Sequence, residues 1–118
     1  MATTPIRLKT PHETFELKDT LRLQLIDVRT SDEFTGDLGH IEGASLLTLL
    51  PGEEDNFIEG LKKFAPEKPT IFICRSGNRS AKATALAQAL PTPHTFTDAY
   101  NMAGGMLAWN DESLPLGH

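Results

Sequence analysis

A cysteine, two arginines and two hydroxyls fall within seven consecutive residues, Cys74-Arg75-Ser76-Gly77-Asn78-Arg79-Ser80. Cys74 is the single cysteine of the 118-residue chain, so it has no thiol partner for a disulfide, a two-thiol redox pair or a thiolate-rich zinc site. A tight polar loop between a strand and a helix turns backbone N–H groups inward and ends at a helix N-terminus, which makes an anion site. A thiolate held there is stabilised by the N–H groups, the helix dipole and nearby guanidinium charges. Such surroundings lower a cysteine pKa from about 8.5 to roughly 3.5–7.5. Gly77 offers the backbone freedom that a close cradle needs. Arg75 and Arg79 are expected to attract an anionic donor and to offset a negative leaving group, with Ser76, Asn78 and Ser80 completing the cradle. The pattern predicts a nucleophilic Cys74 at the loop's entrance that works without a separate general base. A lone cysteine after a strand is more often a small buried hydrophobe. A core cysteine gains nothing from flanking guanidiniums, and that weighs for function.

The loop needs a strand before it and a helix after it, and the flanking residues supply both. Thr70–Ile73 is β-branched and aromatic, which predicts a central strand, and Ser80–Leu90 is alanine-rich and closed by Pro91, which predicts a helix. Upstream, Thr10-Pro11-His12-Glu13 carries a capping box with proline at the first helical position, predicting a helix to about Lys18. Leu21–Val28 reads as a buried strand with Asp27 near its C-terminal end, and Thr30–Glu33 offers a second capping box for a short helix around Asp32–Thr35. The apolar positions Phe57, Ile58, Leu61 and Phe64 predict a helix over Glu54–Phe64. His94–Thr97 is read as a last strand and Ala103–Asn110 as a last helix. Strands alternating with helices imply an α/β fold, a small parallel sheet with helices on both faces.

Composition narrows the classes. Hydrophobic residues make up 39% of the chain and charged residues 23%, as in ordinary globular proteins, and the length suits a single domain over residues 1–118. A formal charge of −5 without a run of Lys or Arg argues against nucleic acid as a partner. No apolar run has membrane-spanning length, so no membrane partner is expected. Met1–Lys9 lacks the apolar segment of a secretory signal, which predicts a cytoplasmic location.

Other polar residues are read more simply. Asp27 is taken as a structural acceptor, although an orienting role towards a loop arginine is open to it. His40 is read as stabilising its Gly-flanked turn, and His12, His94 and His118 show no metal spacing, so neither metal nor cofactor is expected. Arg29 and Glu33 are read as a local ion pair of small value. Trp109 is assigned to the core, and Gly104-Gly105 to close packing at a helix start.

With these residues in view, the chain resembles the rhodanese family. Leu25-Ile26-Asp27-Val28-Arg29, Glu33-Phe34 and Gly39-His40-Ile41-Glu42-Gly43-Ala44 are similar to the family's N-terminal signature in order and spacing. Asn101–Trp109, with Gly104-Gly105 and Ala108-Trp109, followed by Leu114-Pro115, is similar to its C-terminal signature. The resemblance covers roughly residues 6 to 116 and implies the rhodanese-like three-layer fold, with Cys74 as the residue that accepts sulfur as a persulfide. It implies thiosulfate as donor and cyanide, a small thiol or a sulfur-acceptor protein as acceptor. The loop lacks the neutral Gly-Ser-Gly-Val-Thr character of mercaptopyruvate enzymes, which favours thiosulfate. A second class is an interaction or sulfur-relay module without significant turnover, against which the intact Cys74 loop argues. A third is the related phosphatases and arsenate reductases, which place one more residue between cysteine and arginine. Here only Arg75, Ser76, Gly77 and Asn78 intervene.

Overall fold

The computed structural model describes residues 7–117. Most of the Met1–Lys9 segment and His118 therefore lie outside the described residues. Ten elements follow in order: β1 Arg7–Lys9, α1 Pro11–Thr20, β2 Gln24–Asp27, α2 Ser31–Phe34, β3 Ser45–Leu46, α3 Glu54–Leu61, β4 Thr70–Ile73, α4 Asn78–Gln88, β5 Ala99–Met102 and α5 Gly105–Asp111. The strands form one parallel sheet in the order β1-β5-β4-β2-β3. Helix α3 contacts α4, and α1 contacts α5.

Alternation along the strands feeds two cores. Ile26, Phe72 and Ala99 join Phe57, Leu61, Ala83 and Ala87 in one cluster, while Leu25, Ile71, Ile73 and Met102 join Met106 and Trp109 in the other. Successive side chains of a strand point to opposite faces, so β4, buried at every residue, serves both cores. Cys74 follows on the side of Phe72 and belongs to the first cluster.

Both capping boxes form. The Thr10 and Thr30 side chains accept from the N–H groups of Glu13 and Glu33, whose carboxylates accept in return from the cap N–H groups. The boundaries of all five helices differ from the sequence reading by a few residues at one end or both, and β2 runs over Gln24–Asp27 rather than Leu21–Val28. The larger correction concerns the last strand. His94–Thr97 is a turn and loop segment, in which Phe96 is buried and packs its ring 6.1 Å from that of Phe72. The strand is Ala99–Met102, placed by pairing with β4 on one side and β1 on the other.

The connections set up the site. From β2 the chain runs by α2 to β3 at one edge, whereas from β4 it runs by α4 to β5 on the other side. Loops leaving adjacent parallel strands in opposite directions open a crevice at the carboxyl ends of those strands.

Candidate active site

Backbone geometry builds the cradle first. Gly77 is the N-cap of α4 at φ 103°, a left-handed conformation that costs glycine little, and no side chain caps the helix. The first N–H groups of α4 are thus left for another acceptor. A Cβ on Gly77 would lie 3.3 Å from the Gly104 nitrogen. From behind, the Met106 N–H donates to the Cys74 carbonyl at 2.8 Å and the Leu107 N–H to the Arg75 carbonyl at 3.0 Å. Gly105 comes so close that a Cβ there would sit 2.5 Å from both carbonyl oxygens, the close packing expected of the Gly104-Gly105 pair. With its carbonyls fastened to α5, the loop presents its N–H groups to the sulfur.

The Cys74 sulfur accepts from the Gly77 N–H at 3.0 Å and from the Ser80 hydroxyl at 3.2 Å. Burial works against the charged form. The Ser80 hydroxyl and the N–H groups of Ser80, Gly77 and Ser76 outweigh it, so the thiol is held below its ordinary value. Neutral dipoles lead this stabilisation, and the Arg79 guanidinium adds a Coulombic attraction to the sulfur. Cys74 is 1% exposed, directly after β4 where the chain enters the loop.

The two arginines separate. Arg75 is exposed and makes no ion pair among the described residues. Arg79 is clamped across the crevice by Glu33, Nη1 to Oε1 and Nη2 to Oε2 at 2.7 Å each. The local Arg29–Glu33 ion pair is thereby corrected. Arg29 instead grips Asp27, donating through Nε and Nη2 to the carboxylate at 2.8–3.2 Å, and its link to Glu33 is a donation to the backbone carbonyl. Asp27 thus serves as the structural acceptor, holding Arg29 and not a loop arginine. His40 stacks on Phe34 with ring centroids 3.9 Å apart, and its Nδ1 lies 3.1 Å from the Phe34 carbonyl oxygen. Asn78 and Ser76 are exposed.

Two participants escaped the sequence reading. Glu33 pairs with Arg79 rather than with Arg29. Asn101 of β5, 5% exposed, donates from Nδ2 to the Gly77 carbonyl at 3.0 Å and sets Oδ1 within hydrogen-bond reach of the Ser80 hydroxyl, as an alternative acceptor to the Cys74 sulfur. Its signal lies in strand alternation: with β5 placed at Ala99–Met102, Asn101 shares the face of Ala99 and must find polar partners there.

Beside the loop lies a cavity of about 440 Å³ between the residues after β2 and those after β4, lined by Arg29, Glu33, Asp32, Asp37 and Arg75 among others. Asp27 and Glu33 neutralise Arg29 and Arg79, so Arg75 is the free cation there and faces two carboxylates that make no ion pair among the described residues. Those residues hold no cluster of three or more His, Cys, Asp or Glu suited to a metal ion, and no helix long and apolar enough to cross a membrane.

The clamp has a testable acid signature. Arg79 holds the Glu33 carboxyl down at about 2, with help from the Thr30 N–H and against burial. A depressed carboxyl contributes stability that is present above its unfolded value near 4.5 and lost as pH falls through about 2. Urea unfolding followed between pH 5 and pH 2 should therefore lose less stability in Glu33→Gln than in the wild type. Parallel curves for the two proteins would contradict the clamp.

Residues 10–112 match the model of the rhodanese-like domain. The chain is 36% identical over 104 residues to the probable adenylyltransferase/sulfurtransferase MoeZ of Mycobacterium tuberculosis, covering 85% of this chain and 24% of that protein. It therefore spans about a quarter of MoeZ. It is 34% identical over 102 residues to thiosulfate sulfurtransferase 18 of Arabidopsis thaliana, covering 79% of this chain and 71% of the relative. Among solved structures, a rhodanese-like domain protein from Staphylococcus aureus superposes with a TM-score of 0.71 at 29% identity, covering 96% of this chain and all of that one.

Proposed function

The chain belongs to the rhodanese-like domain family, and from that premise we propose that it is a thiosulfate sulfurtransferase in which Cys74 carries the transferred sulfur. The observation that carries the reading is the Cys74 sulfur facing loop N–H groups and the Ser80 hydroxyl, which favour an ionised thiol without a base. The Cys74 thiolate attacks the sulfane sulfur of thiosulfate. A new sulfur–sulfur bond forms, the bond to the sulfonyl sulfur breaks, and sulfite leaves with the electron pair. The charge then rests on the outer sulfur of the persulfide. Attack on that sulfur by cyanide or a thiolate returns the Cys74 thiolate.

Arg75 is the residue suited to attract the dianionic donor, because Arg79 already shares its charge with Glu33. The buried sulfur favours a small donor that delivers one atom over a bulky one. The named Arabidopsis relative supports thiosulfate. The cradle has one residue fewer than the phosphatase version, which disfavours phosphoryl chemistry.

Incubation with thiosulfate should add one sulfur atom to the intact protein by mass spectrometry, and cyanide should remove it. Arg75→Ala should raise KM for thiosulfate roughly threefold to tenfold and leave kcat nearly unchanged, as for loss of an attracting charge. Hydrolysis of a phosphomonoester should be negligible beside sulfur transfer. Efficient Cys74-dependent hydrolysis without a sulfur adduct would overturn the reading.

A further inference from the structure

Ser80 stands between two acceptors with one proton to give. Its oxygen lies 3.2 Å from the Cys74 sulfur and is also within hydrogen-bond reach of Asn101 Oδ1. The Asn101 amide is oriented by its other end, since Nδ2 donates to the Gly77 carbonyl at 3.0 Å and this leaves Oδ1 for Ser80. A serine hydroxyl carries a single hydrogen, so it cannot donate to both at once. All three groups are buried, where an acceptor that loses its donor is not compensated by water.

We propose that Asn101 is a positioning residue for the sulfur chemistry: its side-chain carbonyl competes with the Cys74 sulfur for the Ser80 hydroxyl proton, and the hydroxyl turns to whichever acceptor needs it more. When Cys74 is a thiolate, the proton points at the sulfur and Asn101 Oδ1 goes without. When Cys74 is a thiol, its S–H donates to the Ser80 oxygen and the hydroxyl returns to Asn101. The persulfide behaves like the thiol, because the negative charge has moved to the outer sulfur and the inner one is a poor acceptor. Asn101 therefore favours the loaded form over the empty thiolate and keeps that thiolate more basic than the cradle alone would make it. A more basic thiolate is the better nucleophile towards the donor sulfur.

The charged groups around the cradle are Arg75 on the loop, Arg79 on α4, Asp32 and Glu33 on α2, Asp37 beyond it, and Asp27 at the end of β2 paired with Arg29. The residues of β5 and α5 that meet the cradle, Asn101, Gly105, Met106 and Leu107, are uncharged. Substitution at Asn101 thus changes no charge near the sulfur.

The persulfide half of this inference rests on the sulfurtransferase reading, whereas the thiol half does not. The experiment is the pH dependence of Cys74 alkylation by a small haloacetamide in wild type, Asn101→Leu, Ser80→Ala and the double variant. Asn101→Leu frees the hydroxyl for the sulfur, and the thiol pKa should fall by about half a unit to one unit. With Ser80→Ala the pKa should rise, and adding Asn101→Leu should then produce no fall. Asn101→Ser is the milder replacement should leucine prevent folding, with a fall of the same sign. A pKa in the Asn101 variants equal to or above that of wild type, or the same fall with and without Ser80, would show that Asn101 only braces Gly77 and would overturn the proposal. These outcomes are read from alkylation alone, so absence of sulfur transfer would sink the functional reading and the persulfide half with it, and leave the competition at the thiol standing.

Discussion

Cys74→Ser is expected to reduce thiosulfate-to-cyanide transfer to background, a loss of up to the order of 10⁶ where a nucleophile is removed from a preorganised site. The cradle stabilises a sulfur anion through the Gly77 N–H, the Ser80 hydroxyl and the neighbouring amides. A serine in its place keeps its proton at neutral pH, and no group within the cradle stands ready to take it. The variant should also show no added sulfur after exposure to thiosulfate. Its thermal unfolding should be close to that of the wild type, because serine is nearly isosteric and retains a donor-facing oxygen. Transfer undiminished in a folded Cys74→Ser protein would remove Cys74 from the reaction altogether.

Asp27→Ala should be the most destabilising single change near the site. Arg29 is 1% exposed and Asp27 fully buried, and their bidentate contact is supplemented by Arg29 donations to the carbonyls of Glu33 and Gly39. Removing the carboxylate leaves a buried guanidinium facing carbonyls alone. Breaking such a pair from one side costs about 3–5 kcal/mol, which lowers Tm by on the order of 15 °C in a domain of this size. Asp27→Leu with Arg29→Met removes both charges and should recover much of the loss. Differential scanning calorimetry of the three proteins decides the matter. A drop of only a degree or two for Asp27→Ala would mean that the guanidinium reaches water, contrary to the burial seen here.

What the sequence disclosed depended on how local the governing interaction is. Both capping boxes, at Thr10 and Thr30, were legible because donor and acceptor lie three residues apart. The central strand Thr70–Ile73 and the loop after it were legible because burial on both faces leaves an uninterrupted apolar run. Strands β1 and β3, of three and two residues, carry no periodicity to detect. Strand β5 was misplaced because Phe96 and Thr97 look more strand-like than Ala99 and Asn101, yet Phe96 serves as a core plug and partner strands on either side determine where pairing falls. The Arg29–Glu33 reading failed for a related reason. Glu33 closes the Thr30 capping box and from there meets Arg79, a partner 46 residues away that no local pattern announces.

The fastening of the Cys74 and Arg75 carbonyls by the first turn of α5 bears on the order in which the protein matures. A nascent chain that has emerged only through α4 holds the cysteine, the glycine turn and Ser80, but neither Asn101 nor the amides of Met106 and Leu107 that brace the loop from behind. Domains are completed as units during synthesis, and here the bracing of the reactive loop is supplied by the last strand and helix described. The groups that favour the thiolate, at Ser76, Gly77 and Ser80, are therefore synthesised before the residues that brace them, and the loop takes its final shape only once the surrounding fold is closed.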